Sequence, residues 1–136
     1  MAACFRYIVD DVGEAIAFYT SHLGFTLEMH PAPEFAEISR GDMHLYLSHP
    51  SSRGGGAMHE GERQKPGGWN RIHLAVDDLD GMSARLRSAG CTFRGEAVQG
   101  VAGKQVLLED PSGNLIELFQ PNTAAYRAPG SGSQQV

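Results

Sequence analysis

The chain has 136 residues, of which 41% are hydrophobic and 20% charged, with a formal net charge of −5. That length and composition suit one or at most two small globular domains with an apolar core. The acidic balance, with no basic block, argues against a nucleic-acid partner, and no apolar run reaches membrane-spanning length. In chain order, Phe5 to Val9 reads as a short strand ending at Asp10-Asp11. The run DVGEAIAFYTSHLG follows, with Val12, Ala15, Ile16, Tyr19 and Leu23 on one helical stripe and Gly24 as its stop. Asp10 or Asp11 is placed to cap it, and Glu14 completes a capping box with Asp11. Phe25 to Met29, Phe35 to Ser39 and Met43 to Ser48 read as three strands, the last two joined by the turn Arg40-Gly41-Asp42. His49 to Gly68 is rich in Pro, Gly, Ser and charge, keeps no periodicity, and reads as a linker or lid loop.

The pattern then starts again. Arg71 to Val76 is a strand ending at Asp77-Asp78, and DLDGMSARLRSAG is a second helix closed by Gly90. Cys91 to Arg94, Gly103 to Leu108 and Leu115 to Phe119 supply three further strands. IVDDV…LGFTL matches AVDDL…AGCTF, and RGDMHLYLSHP matches PSGNLIELFQP, so the chain is an internal repeat of a βαβββ unit. The expected fold class is α+β, with two βαβββ modules whose curved sheets pair around a cavity. Residues 1–121 form one domain, with module one at about 4–50, a linker at about 51–68 and module two at about 69–121; residues 122–136 form a tail.

Within the second module, Val106 to Leu108 and Leu115 to Phe119 flank the turn Asp110-Pro111-Ser112-Gly113-Asn114, a hairpin signature in which Pro presets φ and Gly accepts positive φ. Strand alternation puts Glu117 on one face with Leu115 and Phe119, and Ile116 and Leu118 on the other. A carboxylate among apolar neighbours needs a metal, a cation, a donor or open water beside it. Extended to all strands, the alternation assigns Phe5, Tyr7, Val9, Leu45, Leu47, Ile72, Leu74, Val76, Ile116 and Leu118 to the faces under the helices. It assigns Cys4, Arg6, His44, Tyr46, Ser48, Arg71, His73, Gln105, Leu107, Glu117 and Phe119 to the faces turned away from them. The second group mixes polar and aromatic side chains, as ligand clefts do.

The paired repeat, the VDD-helix-LGF opening and the closing LLEDPSGNLIELFQP resemble the vicinal oxygen chelate superfamily, which includes glyoxalase I, extradiol dioxygenases and bleomycin-resistance proteins. The resemblance covers about residues 4 to 121 and implies the glyoxalase/bleomycin resistance fold. In such a superfamily one fold serves many functions. Its enzymes usually hold a divalent metal with His, Gln or Glu from the first and last strand of each module. The corresponding positions here are Cys4, Tyr46, Arg71 and Glu117. An arginine cannot ligate a cation, and Cys4 with Glu117 falls short of the three or four ligands of a stable site, with His73 as the sole rescue ligand. The expectation is no metal and no cofactor, with Glu117 paired to Arg71.

The leading functional expectation is therefore a metal-free binding protein of the bleomycin-resistance type, a homodimer that sequesters a small aromatic or antibiotic-like molecule. Its ligand contacts would be Arg6, His44, Tyr46, Trp69, Arg71, His73, Gln105, Leu107, Glu117 and Phe119. The alternative is a glyoxalase-like lyase or isomerase, or a dioxygenase, with Glu117 and His73 as acid and base and Arg71 holding a substrate anion. Trp69 is either an anchor for the linker or a stacking platform. His22, His30, His49 and His59 are expected in solvent, the Asp pairs cap helices, and Gly54-Gly55-Gly56 is a connector without phosphate-loop context. The start Met1-Ala2-Ala3-Cys4-Phe5-Arg6 lacks a signal-peptide apolar stretch, so the expectation is a cytoplasmic protein with Cys4 and Cys91 reduced.

Overall fold

A computed structural model of the chain describes residues 3–52 and 62–122. Gly54-Gly55-Gly56, His59 and residues 123–136 of the expected tail lie outside the described residues. Among those described, no helix is long and apolar enough to cross a membrane. The elements run β1 (Cys4–Ile8), α1 (Val12–His22), β2 (Thr26–Ala32), β3 (Phe35–Arg40) and β4 (Met43–Ser48). After the connector come β5 (Arg71–Ala75), α2 (Leu79–Ser88), β6 (Thr92–Phe93), β7 (Val98–Gln99), β8 (Gly103–Glu109) and β9 (Leu115–Pro121). The fold is α+β, and the chain divides into two compact units. One runs to Gly68 and takes in Asp110–Asn114; the other comprises Trp69–Glu109 and the chain from Leu115 onward.

In the first unit the sheet order is β1-β4-β3-β2, with β1 and β4 parallel and the other pairs antiparallel. The first and last strands of the module are thus neighbours, so residues 40 positions apart in sequence, such as Cys4 and His44, stand side by side. Asp11 caps α1, its carboxylate accepting from the Glu14 amide at 2.9 Å. The helix buries Val12, Ala15, Phe18 and Tyr19, with Leu23 just past its end, above Ile38, Leu45 and Leu47; Ile16, expected on this stripe, is only half-buried, and Phe18 is buried instead. Each of these large apolar side chains, withdrawn from water, contributes about 1.5–3 kcal/mol before the entropy of ordering it is counted. Phe5 departs from expectation: it is 40% exposed. It sits on the outermost strand β1, where its ring packs edge-on against Tyr7 and solvent covers the rest.

The turn Asp110–Asn114 joins this first unit through polar contacts. The buried Asp110 carboxylate accepts from Tyr19 Oη at 2.8 Å, from the Ser112 and Asn114 amides at 2.9 Å each, and from Asn114 Nδ2 at 3.1 Å. Asn114 Nδ2 also donates to the Ile8 carbonyl at 2.8 Å, and the Gly67 amide donates to Asn114 Oδ1 at 2.8 Å. Gly113, at φ 89°, gives the loop its left-handed step. Burial pushes the Asp110 carboxyl above its ordinary pKa, its hydrogen bonds offsetting only part of that cost. Burial, and the Asp110 charge after it, likewise push the Tyr19 phenol up.

In the second unit the order is β5-β9-β8-β6, with β7 also on β8 and β5 parallel to β9. Asp78 caps α2 by accepting from the Gly81 amide at 3.0 Å, and the helix buries Leu79 and Leu86. The expected strand Cys91 to Arg94 shrinks to Thr92–Phe93, and β7 forms where no strand was expected. Gly95, at φ 96°, turns the chain away from β8 before Val98 and Gln99 rejoin it opposite Gln105 and Lys104. Val76, expected in the core, lies past the end of β5 and is only half-buried.

Candidate functional site

The face of the second sheet turned away from its core is set by register. β5 and β9 pair as Arg71↔Leu115, His73↔Glu117 and Ala75↔Phe119, and β8 places Leu107 beside Glu117 and Gln105 beside Phe119. Ile72, Leu74, Ile116 and Leu118 fall on the opposite face and are buried. Glu117 therefore sits in the middle of a three-strand face, its side chain only 13% exposed.

Arg71 satisfies it directly. The guanidinium Nε donates to Glu117 Oε1 at 3.1 Å, and Nη1 donates to the Trp69 carbonyl at 3.3 Å. His73 Nε2 lies 3.7 Å from Glu117 Oε2, outside hydrogen-bond length, and its ring packs on Phe119 with centroids 5.0 Å apart. Phe119 is itself buried, so it forms the apolar end of this cluster. Gln105 and Leu107 share the face by register and are half-buried.

Trp69 is 66% exposed, and the Arg94 guanidinium carbon lies 4.6 Å from its ring centroid. Arg94 is held by Glu109, Nε to Oε2 at 2.8 Å, and its backbone amide donates to the Leu107 carbonyl at 2.8 Å. β5 and β6 are opposite edges of the four-strand path, three strand spacings or about 14 Å apart. The Trp69–Arg94 contact thus runs from one edge of the sheet to the other as a strap of two side chains. Arg94 and Glu109 were missed by sequence reasoning. Glu109 alternates with Glu117's cross-strand neighbour Leu107, a usable signal, whereas Arg94 becomes visible only once β6 is paired to β8.

The first unit carries the corresponding face with other chemistry. Register places Cys4 beside His44 and Arg6 beside Tyr46, and β3 adds Glu37 beside Tyr46. Arg6 donates from Nη1 to Ser48 Oγ at 2.8 Å, and its guanidinium carbon lies 5.1 Å from the Tyr46 ring centroid. A hydrogen bond to the Cys4 side chain leads the causes that raise the Tyr46 phenol above its ordinary pKa. His44 Nδ1 lies 2.6 Å from Glu37 Oε2. Both cysteines are free thiols, and burial pushes Cys91 up.

These residues do not fit a divalent cation. The position of Arg71 brings a permanent positive charge to the one carboxylate of its set, and an arginine cannot itself ligate a cation. Among the described residues, no three or more His, Cys, Asp or Glu side chains are grouped to hold a metal ion.

A family model described as Glyoxalase/Bleomycin resistance protein/Dioxygenase superfamily matches residues 3–118. No curated protein matches the chain. Among solved structures, TnmS3, an antibiotic binding protein from Streptomyces sp. CB03234, is 26% identical, with a TM-score of 0.67 over 90% of this chain and 96% of that one. A member of the glyoxalase/bleomycin resistance protein/dioxygenase superfamily from Sphaerobacter thermophilus DSM 20745 is 25% identical, with a TM-score of 0.70 over 88% and 96%. Lactoylglutathione lyase from Agrobacterium tumefaciens, at 22% identity and a TM-score of 0.67 over 88% and 92%, is a likeness of fold alone.

Proposed function

We propose that this chain, which belongs to the Glyoxalase/Bleomycin resistance protein/Dioxygenase superfamily, binds and sequesters a small aromatic or antibiotic-like molecule without altering it. The observation that carries this reading is the pairing of Glu117 with Arg71 at 3.1 Å, which commits the acidic group of the face to a guanidinium. The exposed Trp69 ring, backed by Arg94, adds a flat surface on which an aromatic ligand stacks. The likeness to an antibiotic binding protein supports the same reading. Of the expected contacts, Trp69, Arg71, His73, Gln105, Leu107, Glu117 and Phe119 form this face, while Arg6, His44 and Tyr46 belong to the equivalent face of the first unit.

The test uses the untagged protein with bleomycin and the neutral planar dye acridone as probes. Saturable quenching of Trp69, the chain's one tryptophan, with the probes recovered unchanged by mass spectrometry, is the expected result. Conversion of either probe overturns it.

A second reading rests on the 3.7 Å approach of His73 Nε2 to Glu117 Oε2. It is a glyoxalase-like lyase or isomerase, or a dioxygenase, in which these two groups act as base and acid. Stoichiometric zinc, iron, nickel or manganese surviving dialysis would move this reading to first place.

The working form is a cytoplasmic homodimer. The outer strand β2 leaves Leu27 and Met29 each 43% exposed, apolar surface that a second copy would cover. Light scattering at micromolar concentration is expected to give twice 14.7 kDa, and a monomer mass alone would contradict it.

A further inference from the structure

The polar groups at the centre of the second unit's face are only half used. Arg71 spends Nε on Glu117 and Nη1 on the Trp69 carbonyl; Nη2 donates to nothing among the described residues. Glu117 Oε1 accepts from Arg71, whereas Oε2 accepts no hydrogen bond among the described residues. The guanidinium is planar and rigid, and its covalent geometry points one Nη2–H the same way as Nε–H. Since Nε–H points at Glu117, the spare donor emerges beside the carboxylate that holds the spare acceptor. One donor and one acceptor therefore stand next to each other, with the Arg71 and Glu117 side chains 32% and 13% exposed.

Charge narrows the choice further. An anion that reaches the Arg71 donor meets the Glu117 carboxylate, and a cation that reaches Glu117 meets the guanidinium. Only a neutral group with its own acceptor and donor on adjacent atoms answers both without a charge penalty. Aromatic side chains belong to the same face: Trp69, whose carbonyl anchors Arg71, and the tilted His73–Phe119 pair.

From this we infer that the ligand is a neutral planar ring bearing an adjacent acceptor and N–H or O–H donor, such as a lactam, with its C=O on Arg71 Nη2 and its donor on Glu117 Oε2. The inference rests on the binding reading above and specifies the recognised edge of the ligand.

The experiment compares four probes of one size on the wild-type protein by calorimetric titration. They are 2-quinolinone, its N-methyl derivative, quinoline-2-carboxylate and N-methylquinolinium. The indole N–H resonance of Trp69 is followed in parallel. The lactam is expected to bind about tenfold or more tighter than each of the others, because the N-methyl form leaves Glu117 Oε2 without its donor and the two ions oppose one charge each. Equal affinity for the lactam and its N-methyl form, or preference for either ion, overturns the inference while leaving the binding reading standing. If none of the four shifts the Trp69 resonance or gives heat, stacking on Trp69 fails, and the binding reading falls with the inference.

Discussion

The two βαβββ units share a backbone plan and differ in where they place their buried charge. In both, the first and last strands are parallel neighbours in the same register, Arg6 beside Tyr46 in one and His73 beside Glu117 in the other. In both, an aspartate caps the helix. The eighth residue after that cap is Tyr19 in α1 and Leu86 in α2, both buried. Tyr19 reaches the buried Asp110 carboxylate, so the first unit carries an acid in its core as well as the Glu37–His44 pair on its open face. The second unit has an apolar core under α2 and pairs its carboxylate Glu117 on the open face with a permanent cation, Arg71. A duplicated scaffold tolerates a charge in the core or on the open face provided partners accompany it.

The sharpest test of that contrast is Arg71→Met. It leaves Glu117 nearly enclosed with no hydrogen-bonded cation, and the expected loss is about 2–3 kcal/mol, below the full buried-pair figure because both side chains keep some water. Adding Glu117→Leu should restore most of the loss in urea unfolding. A double variant no better than the single one would show that packing, and not the unpaired charge, set the cost.

Next in size is the core of the first unit. Tyr19→Phe removes one donor from Asp110 while leaving the other three, with an expected cost of about 1–2 kcal/mol. The same site carries a pH signature. Because the folded Asp110 pKa is raised above its unfolded value, its contribution to stability is fully present below the ordinary carboxyl range. That contribution is lost as pH rises through the raised value. Relative to Asp110→Asn, the wild type should therefore lose stability as pH rises from the ordinary carboxyl range through the raised value. A gap that is constant or widens in the wild type's favour would contradict the burial-dominated account.

The smallest expected effect is at the first unit's open face. Arg6→Met gives up a part-buried hydrogen bond to Ser48 and a cation–π contact, worth about 1 kcal/mol in thermal unfolding. Were Arg6→Met as costly as Arg71→Met, the two faces would be energetically alike and the contrast between them would fail.

The sequence by itself determined the repeat, the two helices, the capping aspartates, the α+β class and the face on which each strand residue falls. These follow from local rules: periods of two and of 3.6, caps, and turn residues, all readable without knowing which strands meet. The expectation of Arg71 at Glu117 came from the family resemblance, which singles out the first and last strand of each module. Only the tertiary structure decided the rest. Phe5 is exposed because β1 is an outer strand, and β6 and β7 are two short pieces because Gly95 turns the chain between them. The Tyr19–Asp110 bond joins residues 91 positions apart, and the Trp69–Arg94 strap joins opposite edges of a sheet. Contacts of that kind depend on which segments pack together in three dimensions, and no periodicity in the chain encodes them.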